Sequence, residues 1–271
     1  MKKKNKILIY SLYLMNIVIM FSNVYAFGQE SSVTITDIDG NVYHTVTIGS
    51  QVWMVENLKT TKYRDGTNIQ NMADNTSWAT LSTPGYCWYK NDVTYKNTYG
   101  ALYNWYTVIK GKLCPIGWHV PSFAEWTTLT NYLESENISD VKLKGGAGTF
   151  LLKLGLLGRM DIISWQSDTA SMVLKPSYGD TVRDKLKEVG TTHWDSPNTS
   201  ATNKSGFTAL PGGFRYRTGA FKHIGSTGYW WSSTEVNTAN GWIRVMFDIG
   251  RNVSISSNHN VLGCSIRCIR D

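Results

Sequence analysis

Residues 113–126 read LCPIGWHVPSFAEW and carry the clearest local signals for structure in this chain. A Pro-x-Gly turn leads into Val120-Pro121-Ser122, where the proline and a capping hydroxyl predict the start of a helix. The helical spacing of apolar residues predicts one helix over about residues 122–134. Its buried face is predicted to carry Phe123, Trp126, Leu129, Thr130 and Leu133. No comparable amphipathic pattern precedes residue 180, so strands and loops are expected to pack on this helix.

The first 26 residues have the composition of a secretory signal peptide. Four lysines precede a mostly apolar run at residues 7–21, and Val24-Tyr25-Ala26 offers a cleavage site. The apolar run of about 15 residues is shorter than the roughly 20 that span a bilayer. We therefore predict cleavage after Ala26 and no stable membrane span thereafter. The predicted location is secreted, periplasmic or at the cell surface.

Little positive charge remains once the signal peptide is removed. The four lysines of residues 1–26 account for 4 of the formal net charge of +7, which leaves +3. Binding to nucleic acid requires clustered Lys and Arg side chains rather than scattered ones. We therefore predict no nucleic-acid partner.

Four cysteines, an even number in an exported chain, predict disulfide bonds. The sequence allows three pairings. Cys114 with Cys268 is preferred because this bond would tie the helix entry to the last strand, and Cys87 with Cys264 then follows by elimination. A metal site formed by Cys264 and Cys268 would have no third or fourth ligand nearby in the sequence, so no metal site is predicted.

Alternation of apolar and polar residues predicts strands on both sides of the helix. An N-terminal β-hairpin is predicted over residues 32–48 around the turn Asp39-Gly40. Residues 59–84 are predicted to form a loop region anchored by Trp78. The aromatic stretch 99–108 predicts a strand that breaks into a helical turn. Other strands are predicted at residues 51–58, 228–235, 241–248 and 263–269. A strand pair or a bend is predicted at residues 207–217, and an exposed insertion at about residues 145–180.

Eight blocks of the sequence resemble the Fibrobacter succinogenes major paralogous domain family. In chain order they are ITDIDGNVYHTVTIGSQVWMVENLKTTKYRDG, YCWYKND, YGALYNWYTV, LCPIGWHVPSFAEWTTL, KLKEVGTTHWDSPN, ATNKSGFTALPGGFR, GYWWSSTE and SIRCIRD. The resemblance covers most of residues 35–271 and implies an exported bacterial α+β domain with a C-type-lectin-like fold. It implies no reaction, because the family has no established common activity.

The fold class implied by this resemblance has mixed and antiparallel strands packed on one or two helices, behind the N-terminal β-hairpin. We expect a single lectin-like domain over residues 27–271, with an N-terminal strand region at residues 32–84. Sugar-binding C-type lectins hold calcium through a Glu-Pro-Asn or Gln-Pro-Asp loop and a Trp-Asn-Asp strand. Here Asp195-Ser196-Pro197-Asn198 comes nearest, and Trp-Asn-Asp does not occur. We therefore predict no cofactor, and calcium binding has no supporting motif.

The titratable residues form no recognisable catalytic motif. The five histidines are scattered along the chain, and each is interpreted as a surface or hydrogen-bonded structural group. Glu125, Asp195, Glu235 and Asp248 could supply a carboxylate pair for glycoside hydrolysis. Glu125, near the helix start, is instead expected to pair with an arginine or to bond the backbone. We predict no catalytic residue.

The abundance of aromatic residues favours a binding surface. The chain contains 11 Trp and 15 Tyr, and such side chains supply contact area to sugars and proteins. Adjacent strand residues face opposite sides, so one of Trp230 and Trp231 is expected in the core and the other near the surface. The interpretation favoured over this one is that both are covered within an aromatic-rich core and its loops. Candidate ligand-binding residues are Trp194, Arg215, Tyr216, Trp231, Glu235 and Trp242.

Three functions fit these observations. The favoured hypothesis is a secreted, non-enzymatic module that binds a glycan or a protein at the bacterial cell surface. Its contacts are predicted in loops around Trp194 and at residues 215–221, 235–241 and 251–260. The first alternative is an enzyme, either a carboxylate-dependent glycan hydrolase or a relative of the formylglycine-generating enzymes. The second alternative is a structural surface protein.

Overall fold

The computed structural model describes residues 33–139, 180–249 and 253–271. The predicted signal peptide and nearly all of the predicted insertion therefore lie outside the described residues. The strands are β1 Thr34–Thr36, β2 Val42–Ile48, β3 Gln51–Met54, β4 Gln70–Asn71, β5 Gly85–Cys87, β6 Leu102–Tyr103, β7 Trp118–His119, β8 Gly212–Arg215, β9 Phe221–Ile224, β10 Thr227–Asn237, β11 Asn240–Phe247, β12 Ser254–His259 and β13 Ile269–Arg270. The helices are α1 Asn75–Ala79, α2 Lys96–Tyr99, α3 Trp105–Val108, α4 Phe123–Ser139 and α5 Val182–Leu186, and 3-10 turns occupy Tyr89–Asn91 and Val93–Tyr95.

The strands form three sheets, and the fold is a strand-rich α+β fold. One five-stranded sheet has the order β1-β2-β3-β13-β7, and another has the order β12-β11-β10-β8-β9. A third sheet has the order β4-β5-β6. Residues Thr34–Asp271 group into one compact unit. Of the helices in the described ranges, none has the length and apolar character needed to cross a bilayer.

The predicted N-terminal hairpin is confirmed. β1 and β2 pair antiparallel, with Thr34 opposite His44. The carboxylate of Asp37 closes the turn, because its Oδ1 accepts hydrogen bonds from the backbone N–H groups of Asp39 and Asn41 at 3.0 and 2.9 Å. Gly40 has a φ of 80°, a conformation that favours glycine. Local turn chemistry thus sets the register of the hairpin.

The predicted helix is also confirmed, and it extends beyond residue 134 to Ser139. Ser122 and Glu125 form a capping box: the Glu125 N–H donates to Ser122 Oγ at 3.2 Å, and the Ser122 N–H donates to Glu125 Oε2 at 2.7 Å. The predicted backbone bond of Glu125 is therefore present. Trp126 is fully buried and packs on Trp53 of β3 with ring centroids 4.9 Å apart. Leu129 and Leu133 are also buried, whereas Phe123 and Thr130 are half-buried at the edges of this face.

The C-terminal segment connects the sheets rather than forming the single strand predicted at residues 263–269. Gly263 bridges to Arg215, Cys264 bridges to Tyr103, and Ser265 bridges to Trp230. Each of these residues pairs with a different neighbour, so an extended ladder does not form until β13. The alternating pattern of this segment instead reflects burial on every side, since residues 261–269 are all buried.

Trp230 and Trp231 are both fully buried, which confirms the interpretation that both are covered. β10 lies inside its sheet, between β11 and β8, and core packs on both of its faces. Each indole N–H is satisfied within the core. Trp230 Nε1 donates to Asn57 Oδ1 at 2.9 Å, and Trp231 Nε1 donates to the Tyr103 carbonyl at 2.8 Å.

The predicted disulfide between Cys114 and Cys268 is confirmed, with Cα atoms 6.1 Å apart. The second predicted pair is wrong, since Cys87 and Cys264 are free, buried thiols. β6 lies between them, because Leu102 pairs with Cys87 on one edge and Tyr103 pairs with Cys264 on the other. Two strand spacings amount to about 9.6 Å, which exceeds the Cα separation that a disulfide allows.

Burial makes both free thiols poor nucleophiles. Burial raises the pKa of Cys87 to about 12, and the opposing influence of the neighbouring Arg215 guanidinium is smaller. Burial also raises the pKa of Cys264 well above its ordinary value. Because the thiolate is the reactive form of cysteine, neither residue is expected to react in the folded protein.

A histidine between two carboxylates links Asp271 to the start of α4. His119 Nε2 lies 2.8 Å from Glu125 Oε1, and His119 Nδ1 lies 2.6 Å from Asp271 Oδ1. Partial burial lowers the pKa of His119, but the hydrogen bonds and charges of Asp271 and Glu125 outweigh it and raise the pKa above 6.5. Burial raises the pKa of Glu125, but bonds from Ser122 and His119 outweigh it and hold this pKa below 4.5. The protonated imidazole, with two N–H donors, satisfies both carboxylates.

The cysteine arrangement predicts two reactive thiols in the unfolded, unreduced protein and none in the folded protein. Titration with a thiol reagent before and after denaturation measures both numbers. Replacing both Cys114 and Cys268 by serine should lower the free energy of unfolding by about 4 kcal/mol, because the bond closes a long loop. A count of zero thiols after denaturation would show a second disulfide and contradict this arrangement.

The His119 contacts predict a pH-dependent stability difference between the natural protein and its His119→Gln variant. The His119 contribution is complete below pH 6.5 and is lost as the pH rises through the raised pKa of this histidine. We expect the natural protein to be more stable by up to about 1 kcal/mol near pH 5.5 and by less near pH 8.5, because partly exposed ion pairs contribute little. Urea unfolding at both pH values measures this difference, and an equal difference at both would contradict the assignment.

Candidate functional site

A cleft of about 530 Å³ lies beside α1, the turn after β8 and the end of β12. Its lining residues are Asn75, Thr76, Ala79, Arg217, Thr218, His259 and Val261. Amide, hydroxyl, guanidinium and imidazole groups therefore face the cleft together with two small apolar side chains. None of these lining residues is a carboxylate, so the cleft does not contain the acid pair that hydrolyses glycosidic bonds.

Arg215 holds two walls of this cleft together. It is fully buried on β8, and its Nε donates to the Gly219 carbonyl at 3.0 Å. One terminal nitrogen donates to the Ala73 carbonyl at 2.9 Å and to Asn75 Oδ1 at 2.8 Å, and the other donates to the Met72 carbonyl. One guanidinium thus connects the turn after β8 to the segment that begins α1.

Aromatic rings cover the Arg215 guanidinium. Its central carbon lies 4.5 Å from the ring centroid of Trp78 and 4.8 Å from that of Phe221. Trp78, the predicted anchor of its loop region, is fully buried. Cation–π contacts of this kind are strongest where water is excluded. Hydrogen bonds therefore fix the Arg215 guanidinium within its own plane, and the two aromatic rings restrict its movement out of that plane.

Helix α1 and the turn after β8 meet at close range. Asp74 caps α1, since its Oδ2 accepts a hydrogen bond from the Ser77 N–H at 2.6 Å, and this bond lowers the Asp74 pKa. Gly219 has a φ of 89°, and a Cβ atom built on it would lie 2.6 Å from the Asn75 Cβ. Only glycine fits this turn, so Asn75 and Thr76 are held against the segment that carries Arg217.

His259 closes the third side of the cleft at the end of β12. The Val261 N–H donates to His259 Nδ1 at 3.3 Å, so neutral His259 carries its proton on Nε2. The cleft thus combines N–H donors of Arg217 and His259 with side chains of Asn75 and Thr218 that both donate and accept. This set can bind hydroxyl or carboxylate groups of a ligand. Within the described part of the chain, no group of three or more His, Cys, Asp or Glu residues could hold a metal ion.

The structure places three of the six predicted ligand-binding residues in the core. Trp194 is 1% exposed, and Arg215 and Trp231 are 0% exposed, so these side chains do not face solvent. Trp194 Nε1 donates to the Ala209 carbonyl at 3.0 Å, and Lys187 Nζ lies 3.9 Å from the Trp194 ring centroid. Trp194 and Trp231 are therefore packing residues of the core. Arg215 holds the walls of the cleft in place but does not line it.

The other three candidates reach the surface but do not line the cleft. Tyr216 is half-buried beside Phe214, and Glu235 is exposed opposite Gly241 in the β10–β11 hairpin. Trp242 is half-buried and packs on Phe123 of α4, with ring centroids 5.3 Å apart. The structure thus does not bring the six predicted residues together into one site.

Two of the predicted loop segments do meet at the cleft. Residues 215–221 contribute Arg217 and Thr218, and residues 251–260 contribute His259. Asn75 and Thr76 are not among the predicted site residues, because the pattern of residues 59–84 predicts a loop region. The signal that could have located them is Asp74-Asn75-Thr76-Ser77, which has the capping carboxylate of a helix start.

Comparison with known proteins identifies a family. A family model described as the Fibrobacter succinogenes major domain matches residues 46–270. No curated protein and no solved structure matches the chain. The matched range contains every residue that lines the cleft, together with Arg215 and the four cysteines. The chain therefore belongs to the Fibrobacter succinogenes major domain family.

Proposed function

We propose that this protein is a secreted, non-enzymatic binding module of the bacterial cell surface, and that the cleft beside α1 contacts its ligand. The observation that carries the proposal is the Arg215 contact set, which holds Asn75 and the turn with Arg217 in fixed positions. Polar groups that are ordered before binding need not lose conformational entropy on binding. The mixture of donors and acceptors favours a ligand rich in hydroxyl groups, and we propose a glycan.

We also propose that the fold is C-type-lectin-like. The resemblance of the sequence blocks supports this, as does the placement of the capped helix α4. The disulfide between Cys114 and Cys268 ties the entry of that helix to the segment before the last strand. The central pairing of β10 with β11 adds a long antiparallel ladder beside the helix.

The enzyme alternatives gain less support from the chemistry of the site. A glycan hydrolase needs two carboxylates beside the substrate, and none of Glu125, Asp195, Glu235 and Asp248 lines the cleft. Chemistry of the formylglycine-generating type needs a reactive thiol. Cys87 and Cys264 are buried with raised pKa values, and the other two cysteines are bonded. A purely structural surface protein differs from a binding module by having no ligand.

The cleft predicts that Arg217→Ala and His259→Ala each weaken glycan binding about fivefold, since each removes one hydrogen-bonding group worth about 1 kcal/mol. A glycan array identifies the ligand, and calorimetric titration measures its Kd. Arg270→Ala is the matched control, because Arg270 is an exposed arginine of β13 outside the cleft. Unchanged affinity in both cleft variants, or no glycan bound at high micromolar concentration, would contradict the proposal.

The hydrogen bonds of Arg215 predict different effects on stability for Arg215 on β8 and for Arg217 in the turn after it. Arg215→Met removes the hydrogen bonds of the buried guanidinium to four acceptors in the cleft walls and should lower the free energy of unfolding by about 3 kcal/mol. Arg217→Ala removes an exposed side chain and should change it by less than about 0.5 kcal/mol. Urea denaturation of both variants measures the two changes. A loss below about 1 kcal/mol in Arg215→Met would show that Arg215 does not hold the walls.

A further inference from the structure

A row of five aromatic rings runs away from Arg215 on another part of the domain. The rings are, in order, Phe221, Tyr89, Tyr95, Tyr99 and His193. Neighbouring centroids lie 5.3, 5.4, 6.0 and 5.8 Å apart. Tyr89 is buried, whereas the last three rings are half-buried and reach solvent. We name Tyr95, Tyr99 and His193 the aromatic row.

Polar groups lie along one side of the aromatic row. His193 Nδ1 lies 2.8 and 2.9 Å from the two carboxylate oxygens of Glu188. Burial raises the pKa of Tyr99, and the charges of Glu188 and Asp195 raise it further, so the Tyr99 hydroxyl stays protonated. In the described ranges, neither this hydroxyl nor the Asp195 carboxylate has a hydrogen-bond partner. The row therefore has unused donor and acceptor groups beside its rings.

Close backbone contacts fix both sides of the aromatic row. Asn57 Nδ2 donates to the Tyr99 carbonyl at 2.9 Å, and a Cβ atom on the next residue, Gly100, would lie 2.7 Å from the Leu58 carbonyl oxygen. On the other side, the Asp195 N–H donates to the Gly225 carbonyl at 2.8 Å. A Cβ atom on Gly225 would lie 2.6 Å from Asp195 Oδ1. The rings and the carboxylate are thus held in place before any ligand arrives.

We propose that the aromatic row binds a pyranose unit of a neutral glycan. The C–H face of the sugar packs on the half-buried tyrosine rings, and its hydroxyl groups donate to the carboxylates of Asp195 and Glu188. The Tyr99 hydroxyl donates to a sugar oxygen. Two carboxylates beside the rings repel acidic sugars, so the ligand class is neutral or N-acetylated hexose and pentose units rather than uronic acids.

This inference rests on the proposed function, because it assumes a module that binds glycans, but it names a second contact surface. The cleft supplies Arg217 and His259, whereas the aromatic row supplies carboxylates and rings. The two surfaces consist of different residues, so variants of one leave the other intact. A glycan chain that contacts both would bind more tightly than to either surface alone.

Calorimetric titration of the purified protein with neutral β-1,4-linked hexaoses of glucose, xylose, mannose and N-acetylglucosamine tests the proposal, with hexagalacturonate as the acidic comparison. We expect at least one neutral hexaose to bind with a Kd below about 1 mM. Tyr95→Ala and Tyr99→Ala should weaken it about tenfold, because each removes a stacking ring. Tyr99→Phe and Asp195→Asn keep the shape of the site and should weaken it about threefold.

Tyr132→Ala is the matched control, since Tyr132 is an exposed tyrosine on α4 outside the aromatic row, and its affinity should equal that of the natural protein. Circular dichroism in the aromatic region verifies that each variant is folded, and the two shape-preserving variants decide the outcome if an alanine variant unfolds. Absence of binding by every neutral hexaose, a preference for hexagalacturonate, or affinity unchanged in the row variants overturns the proposal. If row variants bind normally but Arg217→Ala weakens binding, the proposed function stands without this inference.

Discussion

A buried guanidinium without a carboxylate beside it needs an acceptor for each of its donors, and Arg267 imposes this requirement on the centre of the domain. Its Nε and one terminal nitrogen donate to Asn57 Oδ1 at 3.2 and 3.0 Å, and the other terminal nitrogen donates to the Phe207 carbonyl. Burial lowers its pKa to about 9. Asn57 Oδ1 also accepts the Trp230 indole N–H. Loss of any one partner would leave buried polar groups unpaired. The segments that carry Asn57, Phe207 and Trp230 are therefore stable only when they pack together around Arg267.

Arg215, which is also fully buried, follows the same physical rule beneath the cleft. Its acceptors are backbone carbonyls and Asn75, so the rigidity of the core extends to the walls of the cleft. Those walls come from residues 75–79, 217–218 and 259–261, which are far apart in the sequence. Two of these segments could be predicted from the sequence, because they belong to polar loops between clear strands. The meeting of the three wall segments could not be predicted, because it depends on long-range hydrogen bonds of Arg215. In the sequence this residue looks like an ordinary exposed arginine.

The features of the fold that the sequence predicted depend on residues a few positions apart. The Asp39-Gly40 turn and the Ser122 cap are of this kind, and both are present in the structure. Burial of both Trp230 and Trp231 depends on whether other elements cover both faces of a strand, which alternation within that strand cannot reveal. The preferred bond between Cys114 and Cys268, which ties the helix entry to the C-terminal segment and closes a long loop, is also present. The other two cysteines remained unpaired because a strand from elsewhere in the chain separates them.

The position of the free thiols makes the order of folding and oxidation important. An unfolded chain exposes four thiols, and thiol–disulfide exchange can join them in several ways. In the folded protein β6 lies between Cys87 and Cys264 and both thiols are buried, so these two cysteines cannot bond to each other. Pairing of β6 with both cysteine segments before oxidation therefore prevents this mispairing. In an oxidising compartment, the yield of native protein depends on the rate of strand assembly relative to the rate of thiol oxidation.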